Sequence, residues 1–286
     1  MWTVKENLTK GYNAVSMLKR LKDEPLHHIN LEKALIKMPM EDGHNKEAVT
    51  IIFNEDTVTL SGDKTDADKA VAKARKVFNW KRDLFDIHNH FKQTDLNPLF
   101  EQFQGTPLVT EFTPYGCLIK TIIHQQLNMA FAYTLSTRFV QTFGEKHGDV
   151  WFYPEPHITA SLEPKDLREL QFSGRKAEYV IDTSRKIVDG ELNLDTFSEK
   201  TDEEIIRTLT SIRGIGPWTA ECFLLFGLGR ENLMPAGDIG IQNGLKVLLN
   251  IDQKPTKDEI YDLADQWKPY NSYAALYLWL STEQNR

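Results

Sequence analysis

The stretch Arg213-Gly214-Ile215-Gly216-Pro217-Trp218 constrains this chain more than any other. It joins two apolar helical patterns through a turn that leaves room only for a helical hairpin. Upstream, Asp202 to Thr210 carries Ile205, Ile206 and Leu209 on one side of a helix. Downstream, Pro217 to Phe226 is apolar nearly all round, which predicts a buried helix that anchors the turn. Gly-Ile-Gly predicts at least one backbone conformation that a side chain would oppose. Gly216 then falls near the cap and Pro217 at the first helical position. The amides at that helix start have no partner within the helix, and they attract anions. Taken alone, the motif fits an ordinary helix connection as well as an anion grip.

The texture of the chain changes near residue 105. Before it, Ile29 to Met38, Ala48 to Phe53 and Val58 to Leu60 have strand patterns, the last two separated by the turn-like Asn54-Glu55-Asp56. Asp66 to Trp80 reads as an amphipathic helix with Ala70, Val71, Ala74, Val77 and Phe78 near helical spacing. From Gly105 onward the periodicity is helical. The expectation is an α+β chain: a small mixed α/β domain of sheet plus helix over 1–104, then an all-α domain over 105–286. Within the second part, Cys117 to Phe143 is too long for one ordinary helix. The polar run His124-Gln125-Gln126-Leu127-Asn128 predicts a break, with Asn128 capping the next helix. Ser173 is placed to cap a helix through Val188, with Gly190 just past its end.

Beyond the hairpin, Met234-Pro235-Ala236-Gly237-Asp238-Ile239 leads into a helical pattern carried by Ile241, Leu245, Leu248 and Leu249. Asp238 is placed to cap that helix. The same position favours a fixed negative charge beside a cavity, and the two roles are compatible. By spacing, Trp218 reads as core more readily than as a ligand-facing ring. Tyr273, Tyr277 and Trp279, at helical spacing, also read first as core.

Charge and cysteine content narrow the classes. A net charge of -7 and a pI near 5.7 argue against a protein that coats nucleic acid non-specifically, while leaving room for a local cationic or backbone-amide surface. Cys117 and Cys222 are too few for a disulfide framework or a four-cysteine cluster, and they read as reduced core thiols. No metal site is expected. No apolar run reaches the length of a membrane span, and Met1 to Lys10 carries charges where a signal peptide is apolar. A cytoplasmic protein with no membrane partner is expected.

Leu209 to Ala220, followed by Pro235-x-x-Asp238, resembles the helix-hairpin-helix superfamily of base-excision DNA glycosylases. Ile122 to Leu127 resembles the helix break that supplies that family's DNA-inserting loop. Phe172-Ser173-Gly174-Arg175-Lys176-Ala177 resembles a recurring helix start, and Trp267 to Ala275 resembles the C-terminal helix. Together these cover most of residues 110 to 280 in order. The region ahead is similar, by position and texture, to the N-terminal domain of the 3-methyladenine DNA glycosylase II branch.

The resemblance implies an enzyme that rotates a damaged nucleotide out of duplex DNA and hydrolyses its N-glycosidic bond. The sugar then develops oxocarbenium character, which a carboxylate stabilises; Asp238 takes that role. Trp218, Trp279 and Tyr273 are implied as walls of the base pocket, where indole faces suit the cationic rings of 3-methyladenine and 7-methylguanine. Gly214, Ile215 and Gly216 are implied as the DNA-binding hairpin, and Gln126 or Leu127 as the residue filling the gap left in the duplex. Members that also cut the strand place a lysine where this chain has Trp218, which implies a monofunctional enzyme. It would act as a monomer on double-stranded DNA without a cofactor. The hairpin could also organise a monovalent cation against a phosphate; the sequence permits this without requiring it. The chain departs from the branch's pattern at Cys222 and Ile239, where the pattern has tyrosines, which leaves the lesion range open. Hypoxanthine, uracil or an oxidised purine are alternative targets, and a non-catalytic DNA-binding module is a rival of another class. Arg175 and Lys176, in a first helical turn, fit a phosphate contact or a solvated pair equally. His124 has no evident partner.

Overall fold

The computed structural model describes residues 1–283. The chain opens with β1 (Trp2–Asn7) and α1 (Ala14–Leu21), followed by β2 (His28–Asn30), β3 (Leu35–Asp42), β4 (Asn45–Phe53) and β5 (Thr57–Gly62). These strands form one sheet in the order β1-β5-β4-β3-β2, antiparallel at every pairing. Register places Val4 and Ile51 on either side of Leu60, and Met38 opposite Val49. Alternate residues such as Ile36, Met38, Val49, Ile51, Val58 and Leu60 are therefore buried on one face. That face is covered by α2 (Ala67–Phe78), which buries the Ala70, Val71, Ala74, Val77 and Phe78 set expected from the sequence and is capped by Asp66.

Short helices α3 (Leu84–Phe91) and α4 (Asn97–Gln102) lead into α5 (Pro114–His124) and α6 (Met129–Phe143), with the break between the last two falling where the polar run predicts it. Asn128 caps α6 by accepting from the Phe131 amide at 3.0 Å. A hairpin of β6 (Glu145–His147) and β7 (Val150–Phe152) comes next and packs on β3 and β4. The all-helical expectation for 105–286 is corrected here, because strands of three residues are too short to leave a period in the sequence. Lys46 Nζ ties this hairpin to the large sheet through Glu145 at 2.9 Å and Glu155 at 3.2 Å.

The rest is helical: α7 (Pro156–Ala160), α8 (Pro164–Glu169), α9 (Gly174–Val188), α10 (Asp202–Thr210), α11 (Pro217–Leu228), α12 (Ile239–Leu248), α13 (Lys257–Ala264) and α14 (Asn271–Glu283). Ser173 caps α9 as expected. Among the described residues no helix is long and apolar enough to cross a membrane, and no group of three or more His, Cys, Asp and Glu could hold a metal ion. Cys117 and Cys222 are free and buried.

Packing runs straight across the expected division at residue 104. Phe91 stacks on Phe100 at 3.9 Å, and Phe100 stacks on Tyr277 of α14 at 4.0 Å. The fold is thus α+β with an aromatic seam, and the N-terminal part is welded to the last helix of the helical core. Phe100→Ala should lower stability by about 3–5 kcal/mol and unfold both parts in one urea transition; two separate transitions would show that the parts fold independently.

Candidate active site

Within the hairpin, the two glycines do different work. Gly214 has φ +92, and a Cβ there would overlap the Tyr179 ring of α9, so conformation and space both demand glycine. Gly216 has φ -96, which any residue can adopt, and a Cβ there would meet nothing within 4 Å. It caps α11 without a side-chain hydrogen bond, with Pro217 at the first helical position. Every other helix of eight or more residues with a described cap has a side chain accepting at its start. The first amides of α11 are thus left for an outside acceptor. Ile215, expected in the DNA grip, has a buried side chain that anchors the turn, and its amide donates to Ile212 O at 3.0 Å.

The loop between α5 and α6 is bolted to this hairpin. Gln125 Nε2 donates to Gly214 O and to Thr219 Oγ1, both at 2.8 Å. Lys176 Nζ donates to the carbonyls of Ile122 at 3.1 Å, Ile123 at 2.6 Å and Gln125 at 2.8 Å. The expectation for Lys176 is therefore corrected: it is neither solvated nor turned to a phosphate. It is buried and caps the carbonyl end of α5, and burial draws its pKa down to about 8. Arg175 beside it is exposed. His124 has a partner after all, Ser136 Oγ at 2.8 Å. Burial, reinforced by Lys120 and Lys176, pushes its pKa well below the usual histidine range, so it stays neutral. At the loop tip Gln126 is exposed and held in the left-handed region at φ 56, a strained state for a residue with a side chain. Leu127 is half-buried against the core. Of the two expected wedges, Gln126 is the one that projects.

Four donors converge on Asp238. Its Oδ1 accepts from the Gly240 amide at 2.8 Å and the Ile241 amide at 3.1 Å, which is the expected helix cap. Trp279 Nε1 donates to the same oxygen at 2.8 Å. Among the described residues Oδ2 accepts only from Trp218 Nε1, at 3.0 Å. One oxygen is thus saturated by structure and the other keeps capacity for a further partner. The Trp279 ring lies so close over Gly240 that a Cβ there would meet Cδ1 at 2.9 Å. Trp218 and Trp279 are half-buried, and Phe226 packs beside Trp279 with centroids 5.4 Å apart. Ile239 stands at the mouth with 64% of its surface exposed.

Tyr273 does not join this wall. It is fully buried, and its hydroxyl accepts from Asn79 Nδ2 at 3.3 Å, on the seam with the N-terminal part. Tyr277 lies on the same seam through its stack with Phe100. Six residues separate Tyr273 from Trp279, more than a turn and a half, so the two rings leave α14 on different faces. Behind α11, Glu221, Met234, Tyr261 and Lys268 help line a cavity of about 270 Å³. Burial there raises Glu221 to about 7.

The model of the HhH-GPD superfamily base excision DNA repair proteins matches residues 119–269, which include the loop, the hairpin and Asp238. The chain belongs to this superfamily. It is 43% identical to a Bacillus subtilis (strain 168) protein named putative DNA-3-methyladenine glycosylase, across 99% of this chain and 100% of that one. It is 35% identical to a second protein of that organism named DNA-3-methyladenine glycosylase, across 72% of this chain and 75% of the relative. The solved 3-methyladenine DNA glycosylase from Archaeoglobus fulgidus shares the fold at a TM-score of 0.85 and 22% identity, over 98% of this chain and 97% of that one. The superfamily motifs thus account for Asp238 and the hairpin. Gln125 and Lys176 also fall inside motifs that carry the resemblance, but their partners lie 89 and 51 residues or more away along the chain and create no local period.

Two outcomes test this geometry. Gly214→Ala should cost over ~2 kcal/mol in thermal or urea unfolding through strain and overlap. Gly216→Ala should leave stability nearly unchanged and weaken binding to duplex DNA, because its Cβ fills the space in front of the α11 amides. For Glu221, the folded value near 7 lies above the ordinary 4.5. Its protonation therefore stabilises the fold fully below the unfolded pKa, and that contribution is lost as pH rises through about 7. Glu221→Gln should match the wild type near pH 4.5 and be more stable by about 2 kcal/mol at pH 8; a difference that does not vary with pH would remove this account.

Proposed function

We propose that the chain is a monofunctional DNA glycosylase that extrudes N-alkylated bases, of the 3-methyladenine and 7-methylguanine type, and hydrolyses their glycosidic bonds. The observation that carries this reading is the Asp238 carboxylate, fixed by two indoles and two amides beside a partly open aromatic wall. DNA is the partner, and solved structural relatives include an 8-oxoguanine glycosylase/lyase in complex with double-stranded DNA and a fission-yeast 3-methyladenine DNA glycosylase in complex with abasic DNA.

The steps follow from the side chains. Phosphates flanking the lesion bind the outward amides of α11. Gln126, already projecting, fills the gap that the extruded nucleotide leaves. The base lies against the indole faces, which favour a cationic ring. As the glycosidic bond lengthens, its electrons leave with the base and positive charge grows on the sugar. Oδ2 of Asp238, the oxygen with spare capacity, opposes that charge and orients the attacking water. Trp218 offers no amine for a Schiff base, so the product is an abasic site in an intact strand. The grip on phosphate uses the α11 amides, and the reaction as written needs no cation. The enzyme acts as a monomer, each site being complete within one chain.

Asp238→Asn keeps the size and most of the capping while removing the charge. In methylated duplex DNA analysed by chromatography of released bases, the wild type should release 3-methyladenine or 7-methylguanine and the variant at least ~10²-fold less. Strands should stay uncut until alkali is added. Equal release from both proteins, or none from a wild type that binds DNA, would overturn the reading.

A further inference from the structure

The aromatic wall does not end at Trp279. Phe226 packs beside it, and the Arg20 guanidinium of α1 lies over Phe226, with Cζ 5.7 Å from the ring centroid. Arg20 Nε donates to Glu283 Oε2 at the end of α14, at 3.2 Å. The wall that begins on the Asp238 carboxylate therefore ends in a charged pair that joins the N-terminal part to the last helix. This pair is not sealed: the side chains keep 22% and 34% of their surface. The bond to Glu283 engages a single N–H of a guanidinium that carries several. Tyr133 of α6, half-buried, sits in the same electrostatic neighbourhood; its phenol is raised by burial and feels Lys120, Glu24, Arg20 and Glu283.

We propose that Arg20 and Glu283 read the hydrogen-bonding edge of the extruded purine and so set which alkylated bases are released. This rests on the reading of the site as an alkylpurine glycosylase. A purine stacked on the indole wall with its sugar at Asp238 extends its far edge along that wall, toward Phe226 and the pair. That edge is where an enzyme distinguishes flipped bases. Guanine-type lesions present a carbonyl, O6, which needs a donor, and Arg20 supplies it. Adenine-type lesions present an amino group, N6, which needs an acceptor, and Glu283 supplies it. One donor beside one acceptor accommodates both purines and explains how a single pocket could take 7-methylguanine and 3-methyladenine. A site that hydrogen-bonds an edge rejects the analogue that leaves its group unpaired.

Two variants separate this role from that of a strut between α1 and α14. Arg20→Met keeps an apolar stem over Phe226 but leaves O6 facing the Glu283 carboxylate, acceptor against acceptor. Glu283→Met leaves N6 facing the Arg20 guanidinium, donor against donor. With methylated duplex DNA as substrate, Arg20→Met should lower 7-methylguanine release relative to 3-methyladenine by about tenfold, and Glu283→Met should shift the ratio the other way by a similar factor. Thermal midpoints of the purified variants should stay within a few degrees of the wild type. Both variants break the same ion pair, so a structural role predicts the same effect from each. Ratios that are unchanged, or that move in the same direction, overturn the inference while the wild type's activity upholds the reading beneath it. A wild type that releases neither base overturns the two together.

Discussion

Two indole N–H groups and two backbone amides hold the Asp238 carboxylate, and the rest of the site is arranged around that convergence. A half-buried carboxylate is costly unless its lone pairs are used. Here α12 supplies two donors through its first turn, α11 supplies Trp218 and α14 supplies Trp279. Three helices distant in sequence must therefore meet at one point, and each brings an aromatic or amide surface with it. The same bonds that fix the charge also fix the two rings edge-on to it, leaving their faces to line the recess. Gly240 has no side chain because Trp279 occupies the space. Holding the charge and shaping the wall are one structural solution.

A second constraint couples the loop to the hairpin. Gln125 reaches Gly214 O and Thr219, while Lys176 gathers three carbonyls at the end of α5. A helix terminus leaves its last carbonyls unpaired, and a buried ammonium answers that need where a water molecule would leave the loop free to shift. The strained backbone at Gln126 persists because its neighbours on both sides are pinned. The loop and the hairpin thus keep a fixed separation, which the proposed function needs if Gln126 is to fill the gap beside a phosphate held at α11.

The local elements are legible in the sequence because their signals are local. Asp66, Asn128, Ser173 and Asp238 cap the helices that their positions announce, and Pro217 starts α11. The hairpin and Asp238 can be read because a turn and a cap constrain nearby residues. Lys176 cannot: a lysine in a first helical turn says nothing of carbonyls contributed by a helix some 50 positions earlier. Tyr273 departs from its expected place in the pocket for a related reason. Its residue type suits a pocket, but the face it occupies on a helix that is apolar all round depends on packing that no periodicity reveals. Arg20, at the far end of the chain from Trp279, has no sequence signal at all, since α1 meets α14 only through the tertiary fold.

The acidic balance of the chain becomes intelligible at this level. Two arginines are committed to carboxylates: Arg213 to Glu178 and Arg82 to Glu231. At the hairpin itself the groups offered are oriented amides, whose partial charges act at short range and only on a phosphate in the right place. Lysine-rich surfaces attract any duplex, and their affinity comes from displaced counterions. A net negative charge is compatible with a contact of this kind.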